Sequence, residues 1–341
     1  MEEPQLRSGN QRIRPFVQSA NIHHRGTSRP LQRVVTDFAA DVSFAQTMDK
    51  LVEHYGVLLP ESSIRRITEH HAQQIYDNDA PQDTWPQQPG CDSVIAEMDG
   101  GMVPIVEPDP AQTDQRKGKR LHWKEAKLCL AHAQGSRSLV YGGTLQGDVN
   151  QAGQALFDCA VQAGFGQQSQ LHAVGDGAEW IASQVEDQFG ANGYYLVDFY
   201  HVCDYLSAAA KAIHPDGDAA VVWLDVQKAR LKSQQADETL SALHAHLEAA
   251  DVPEADAPVR RCHRYLTHRR HQLDYQSALA RELPIGSGEI ESAHRYIVQQ
   301  RLKRPGAWWR AQNAEHMLAL RLNRANQKWH DYWARDYRLV A

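Results

Sequence analysis

The sequence lacks what a membrane protein or a disulfide scaffold needs. No apolar run approaches the roughly 18–20 residues of a bilayer span, and mean hydropathy is -0.58. Cysteine is scarce and odd in number: Cys91, Cys129, Cys159, Cys203 and Cys262 stand far apart and form no Cys-x-x-Cys pair. Such a set suits reduced thiols and argues against a zinc ribbon or a stapled secreted fold. Histidine is plentiful, with 18 residues, but dispersed, and the absence of HEXXH excludes that helical zinc motif. Net positive charge is missing too. The formal charge of -6 does not advertise a nucleic-acid binder, although an average conceals local patches. The opening MEEPQLRSGNQRIRPF carries charges with no apolar core behind them. No signal peptide is therefore expected, and the expected location is cytoplasmic. No internal repeat is found.

What is present is an ordinary globular content: 341 residues, 42% hydrophobic and 23% charged, enough for one core or two. Residues 1–35 hold Arg7, Arg12, Arg14, Arg25, Arg29 and Arg33 among few apolar side chains. They read as a basic flexible arm able to touch phosphates, or as a plain terminus. Residues 36–90 read as a small helical region and a linker. Ser43 can cap a helix with Phe44, Met48, Leu51, Val52 and Tyr55 on one face and Gly56 at its end. Pro60-Glu61-Ser62 opens a second helix, with Ile64, Ile67, His71 and Ile75 on one face. Arg65 and Arg66 on that second helix give the pair the outline of a helix-turn-helix, which any small helical hairpin shares. The polar stretch 77–90 is the linker.

Strand patterns follow. Residues 93–98 and 102–106 read as two strands joined by a turn at Asp99-Gly100-Gly101, because Asp-Gly between apolar runs favours a hairpin. The basic loop Arg116-Lys117-Gly118-Lys119-Arg120 leads to a third strand over 124–133. A helix over 148–165, a strand over 171–175, a helix over 178–189 and a strand over 194–197 come next, then a helix from about Phe199. The order β-β-β-α-β-α-β-α implies an α/β fold, a mixed sheet with flanking helices. Residues 91–202 form its first part. Residues 203–283 read as an all-helical insertion. Residues 284–341 resume with one helix from Ser287 or Gly288 to about Arg304, stopped by Pro305-Gly306, and another over 311–329.

Asp99 and Asp176, the latter in Gly175-Asp176-Gly177, fall where strands end, and Glu291 falls in the first turns of the late helix. Open α/β sheets gather ligands at the carboxyl ends of their strands. Carboxylates collected there repel one another unless a cation intervenes, and hard oxygen ligands suit Mg²⁺ or Mn²⁺. Taken singly, Asp-Gly after a strand marks a turn and Glu at a helix start serves the helix dipole. In this order of elements, the three make a candidate metal site.

Here the sequence resembles a family. Strand order with Asp, Asp and helical Glu is similar to the RNase H-like fold of DDE transposases. The string 284–292, PIGSGEIES, followed by 301–309, RLKRPGAWW, looks like the C-terminal block of ISKra-type bacterial insertion-sequence transposases, relatives of the Mutator-like elements. VGDGAEWI at 174–181 and DFYH at 198–201 resemble two further blocks of that group, and the likeness spans about residues 40–335. The resemblance implies an RNase H-like core with a helical insertion, and DNA cleavage at element ends with strand transfer into a target. It implies two Mg²⁺ or Mn²⁺ ions held by Asp99, Asp176 and Glu291, and a homo-oligomer on DNA, associated with the nucleoid. Helical periodicity alone does not choose between Glu289 and Glu291, which flank the apolar face of their helix from opposite sides; the family pattern of glutamate before serine selects Glu291. His294 sits where related elements often have Asn. Asp198 and His201 are either groups near the metals or DNA, or a helix cap and a polar edge residue.

Residues 259–272 hold Arg260, Arg261, Arg264, Arg269 and Arg270 with three histidines and no acid. Residues 286–324 set seven Lys/Arg against three Glu, and of these Arg295, Arg301, Lys303, Arg304 and Arg310 are candidate phosphate contacts. Arg116, Lys117, Lys119 and Arg120 join them. Trp308 and Trp309 either stack on an unpaired end base or fill core. Two alternatives remain beside the transposase: a DNA-binding remnant that no longer reacts, and an RNase H-like nuclease that cuts without joining.

Overall fold

The computed structural model describes residues 27–79, 81, 84–109, 111 and 118–334, and only the backbone of residues 6–8 and 11–13, the antiparallel strands β1 (Leu6–Ser8) and β2 (Gln11–Ile13). Most of the basic arm lies outside the described residues, as do Arg116 and Lys117. The chain forms an α/β structure of two compact units. One draws on Met1–Ala80, Met102–Glu125 and Arg295–Ala341, the other on Pro81–Gly101 and Ala126–His294. No helix among the described residues is long and apolar enough to cross a membrane.

The first unit is built on helices α1 (Arg29–Asp41), α2 (Phe44–Tyr55) and α3 (Glu61–Asp77), against which α13 (Ala311–Ala325) packs. Ser43 caps α2 through a reciprocal box with Gln46, and Gly56 ends it in the left-handed conformation at φ 62°. Ile64, Ile67, His71 and Ile75 are the buried face of α3. Two expectations fail here. Helix α1 begins at Arg29, inside the stretch expected to be arm, with Pro30 in its first turn. Its buried face mixes Gln32 and Thr36 with Val35, Ala39 and Ala40, and Leu31, Val34 and Phe38 pack beside them, an apolar stripe at helical spacing within the basic stretch. Val52 and Tyr55, expected on the buried face of α2, are 47% and 55% exposed, while Thr47 is buried.

Four arginines bind the C-terminal carbonyls of α1. Arg324 donates to Asp37 O, Arg301 to Ala39 O, Arg321 to Ala40 O and Arg304 to Asp41 O. Helix α1 carries no basic residue in its own last turn. These guanidinium groups satisfy its orphan acceptors and face the negative end of its dipole. Arg301, expected at phosphates, is therefore buried at 2% exposure between the rings of Phe44 and Trp309. Of the paired tryptophans, Trp309 is core and Trp308 is half-exposed.

The five-stranded sheet has the order β5-β4-β3-β6-β7, with residues 93–101 of β3 and 126–133 of β4 in the second unit. Strand β3 spans Ser93–Pro108, β4 Lys119–Ala133, β5 Val140–Thr144, β6 Gln170–Gly175 and β7 Gly193–Val197. Gln134 N donates to Ser93 O and Asp109 N to Gly118 O, so β3 and β4 run antiparallel. β5 is antiparallel to β4, whereas β6 and β7 run parallel to β3 and to each other. The expected hairpin at Asp99-Gly100-Gly101 does not exist: β3 is one strand of 16 residues. Gly101 serves close approach rather than a turn, since a Cβ on it would stand 2.7 Å from His294 Nδ1. Strand β5 went unforeseen because Gly142-Gly143 interrupts any alternation. A Cβ on Gly142 would meet the sulfur of Cys159 at 2.8 Å, so glycine is what lets this strand lie against its helix.

Helices α4 (Val149–Gln162) and α5 (Glu179–Phe189) cover one face of that sheet. Asp148 caps α4 through a box with Gln151. Residues Val94, Ile95, Ala96, Glu97 and Met98 are all at most 2% exposed, the mark of a central strand buried on both faces. Helices α6 (Phe199–Ile213), α7 (Gly217–Lys232), α8 (Ala236–His244), α9 (Pro258–His268) and α10 (Tyr275–Ala280) fill the expected all-helical stretch. Helix α11 (Gly288–Ala293) then runs into a π-helical turn, His294–Gln299, and a short α12 (Gln300–Leu302). The chain ends its described part with α13 and α14 (Trp329–Ala334).

Candidate active site

Strand register brings the acidic residues together. Glu97 pairs with Val174, and Gly175 with Val197. Continuing both ladders past their last pairs sets Asp99, Asp176 and Asp198 level with one another on three neighbouring parallel strands, Asp176 and Asp198 just past the carboxyl ends of β6 and β7 and Asp99 within the longer β3. That end of an open sheet is where ligands bind.

Each aspartate is held differently. Asp99 Oδ1 accepts from Gly100 N at 2.7 Å, and the buried ring of His294 lies 3.1 Å from Asp99 O and 3.5 Å from Oδ2. Asp176 Oδ1 accepts from Ala178 N at 2.8 Å, and its carbonyl accepts from Tyr265 Oη at 2.6 Å. Asp198, buried at 5% exposure, accepts from Tyr200 N and His201 N and so caps α6. Its other oxygen accepts from Ser287 N at 2.7 Å and from Ser287 Oγ. With four donors on one carboxylate, Asp198 ties the end of β7 to the entry of α11. His201 meets Tyr205 edge-on and Tyr265 at a tilt, with ring centroids 5.5 and 5.8 Å away.

The loop after β6 is a tight fit. Gly177 has φ +88°, and a Cβ there would stand 2.4 Å from Tyr265 Oη and 2.6 Å from Arg269 Nε. Gly177 N donates to Tyr195 Oη at 2.9 Å, and Arg269 Nε donates to Gly177 O at 2.7 Å. Burial raises the pKa of both phenols, so they remain protonated partners of this loop. Gly177→Ala is expected to destabilise the chain by about 1–3 kcal/mol through left-handed strain and the displaced Tyr265. A urea denaturation midpoint unchanged from the wild type would contradict that fit.

Sequence reasoning missed Glu97. It lies two residues before Asp99, hence on the same face of β3, and is 2% exposed. Its Oε2 accepts from Ile290 N at 2.7 Å. Burial above all, opposed by that hydrogen bond and reinforced by the charges of Glu289 and Asp198, pushes its pKa up to about 8. The signal was available: a carboxylate inside an otherwise apolar strand asks for a buried partner.

The two glutamates of α11 diverge. Glu289 stands 3.1 Å from His132 Nε2. Glu291 is exposed and lies four residues after Ser287 and three before His294, the spacings that share one helix face. Ser287 binds Asp198, and His294 binds Asp99. Glu291 thus sits between two residues already tied to that end of the sheet. Among the described residues, no group of three or more His, Cys, Asp or Glu side chains is gathered as a metal-binding cluster.

Beside the Gly177 loop opens a cleft of about 510 Å³ lined by Arg261, Arg264, Arg269, His268, Tyr265 and Glu179. The other expected phosphate contacts in this segment are engaged within the fold. Arg260 donates to the carbonyls of Glu248, Ala249 and Val252, and Arg270 pairs with Asp237. Arg264 also pairs with Glu254 at 2.7 Å, at the exposed rim. In the first unit Lys119, Arg120, Arg295, Lys303 and Arg310 are exposed, while Arg304 bonds Asp41 O and Gln46. Compared with protein-family models the chain matches none, and compared with curated proteins it likewise finds no match.

Proposed function

We propose that this chain is a DDE-type DNA transposase with an RNase H-like core, which cleaves DNA at element ends and transfers strands into target DNA. The observation that carries the reading is the level placement of Asp99 and Asp176 on neighbouring parallel strands, with Glu291 between the two residues that tie α11 to the same end. The sheet order supports the fold assignment: β4 and β5, paired antiparallel, lie on one side of β3, and the parallel strands β6 and β7 on the other. The sequence blocks at 174–181, 198–201, 284–292 and 301–309 support the family.

The donor set consists of carboxylate oxygens from two neighbouring strands and a helix, which fits a hard divalent cation such as Mg²⁺ or Mn²⁺. Asp99, Asp176 and Glu291 would hold it. Two bound ions would neutralise charge on a scissile phosphate and promote attack at phosphorus. The protein's own work is positional. His294 orients Asp99, the Gly177 loop fixes Asp176, and Asp198 with Glu97 pins the start of the helix that carries Glu291. Arg261, Arg264 and Arg269 offer a cationic wall to a DNA backbone next to Asp176. Helices α2 and α3, with Arg65 and Arg66 exposed on α3, would read duplex DNA. Synapsis of two element ends calls for a homo-oligomer on DNA.

The test is cleavage and joining of labelled DNA carrying the ends of the parent element, in Mg²⁺, in Mn²⁺ and in chelator. Metal-dependent nicking followed by joined products is the expected result. Nicking without joining would leave an RNase H-like nuclease, and tight binding with no cutting in either metal would leave an inactive DNA-binding remnant.

A further inference from the structure

A second cleft, of about 620 Å³, lies wholly within the first unit. First-turn residues of three helices line it: Phe44 and Ala45 of α2, Glu61 of α3, and Asn313 of α13. These helices are 12, 17 and 15 residues long. Helix N-termini present N–H groups without intrahelical acceptors and carry partial positive charge. Neither α3 nor α13 has a side-chain cap, and neither α2 nor α13 has an acid in its first turn. Convergent helix starts of this kind suit an anion.

The floor of the cleft points the same way. Arg301 and Trp309 line it at 2% and 6% exposure. Arg301 Nη2 and Trp309 Nε1 are buried and make no hydrogen bond. The Arg301 guanidinium lies against the rings of Phe44 and Trp309 at 4.8 and 4.7 Å. Asp41, an acid that acts on Arg301, already binds Arg321 and Arg324. A buried cation without its own carboxylate is costly unless an anion completes it. At the rim, Arg65, Lys119 and Arg310 are exposed. The acids facing the cleft are Glu61, Glu69 and Glu107. Glu69 binds Asn313 Nδ2 at 2.7 Å, and burial raises its pKa, which weakens its opposition to an anion. Trp308, 50% exposed, supplies a flat apolar face at the same opening.

We propose that this cleft binds a nucleotide unit, with its phosphate against the converging helix N-termini and its base stacked on Trp308. Phosphate on fixed dipoles and base on an exposed indole is a chemistry shared by the terminal nucleotide of a DNA strand and by a free nucleotide. Every residue that lines the site belongs to the first unit, and binding there does not depend on the second unit's carboxylates catalysing anything.

The experiment is fluorescence anisotropy of a 5′-phosphorylated, 3′-labelled trinucleotide with the full chain in chelator, so that no metal-dependent reaction intervenes. Saturable binding is expected, weakened about tenfold or more in R65Q/R310Q, which removes two charge-assisted contacts from exposed positions. Trp308→Ala should weaken the trinucleotide while leaving competition by inorganic phosphate unchanged. Competition by adenosine monophosphate would assign the site to nucleotides in general. Competition by the phosphorylated oligomer alone would assign it to strand ends. No saturable binding, or equal affinity in R65Q/R310Q, would overturn the proposal and leave the transposase reading untouched.

Discussion

Asp99→Asn and Asp176→Asn should each lower metal-dependent cleavage and joining by at least about a thousandfold, equivalent to about 4 kcal/mol of transition-state stabilisation. Asparagine keeps the size of the side chain and one carbonyl oxygen. The bond from Ala178 N to Asp176 Oδ1 and that from Gly100 N to Asp99 Oδ1 can both survive the change, so folding should hold. What is lost is the negative charge that a divalent ion requires. Thermal unfolding within a degree or two of the wild type, alongside the loss of products, would locate the effect at the site rather than in the fold. Glu291→Gln should match the aspartate variants. Glu289→Gln should cost about tenfold or less, since Glu289 is paired with His132 rather than set between Ser287 and His294. Activity retained in both aspartate variants would sink the metal-site reading. Activity lost in Glu289→Gln and kept in Glu291→Gln would transfer the glutamate's role by two residues.

The contrast between these glutamates shows what sequence alone can resolve. Periodicity sees Glu289 and Glu291 as mirror images about an apolar stripe. The distinction comes from what flanks them, and Ser287 and His294 acquire meaning only once β7 and β3 bring Asp198 and Asp99 to them. Local chemistry was otherwise readable: the Ser43 cap, the Gly56 stop, the buried stripe of α3 and the alternation of strand and helix from Asp148 onward all follow from side-chain type and spacing. The failures share a cause, which is that glycine and polar residues take their structure from tertiary neighbours. Asp99-Gly100-Gly101 reads as a turn because nothing local reveals the His294 ring that needs the space at Gly101. Gly142 and Gly143 hide a strand for the same reason. Gln32 takes its buried place in α1 from such neighbours too, its amide held by Thr27 O and His71. Arg301 and Arg304 count as surface charge in a sequence, yet the carbonyls that engage them belong to a helix about 260 residues earlier. Arginine is long enough to serve either purpose, and its sequence neighbours do not say which.

Glu97 carries the largest expected pH effect. Its pKa is raised from 4.5 to about 8, so across that window the folded chain keeps a proton that the unfolded chain has released. Stability is then fully present below the unfolded value and falls as pH rises towards about 8, with a slope of up to about 1.4 kcal/mol per pH unit. His172, whose pKa is lowered first of all by burial, adds a slope of the opposite sign near its own titration. The quantity to measure is therefore the difference between wild type and Glu97→Gln, which share His172. Glutamine keeps an oxygen to accept from Ile290 N and has no charge to bury. In chelator, with urea midpoints taken from pH 5 to pH 8, Glu97→Gln should grow progressively more stable than the wild type, by a few kcal/mol (about 3) at the upper end. Parallel curves for the two proteins would mean that water or a neighbouring donor supports the ionised carboxylate. Glu97 would then hold α11 to β3 as an anion, and its burial would cost the fold little.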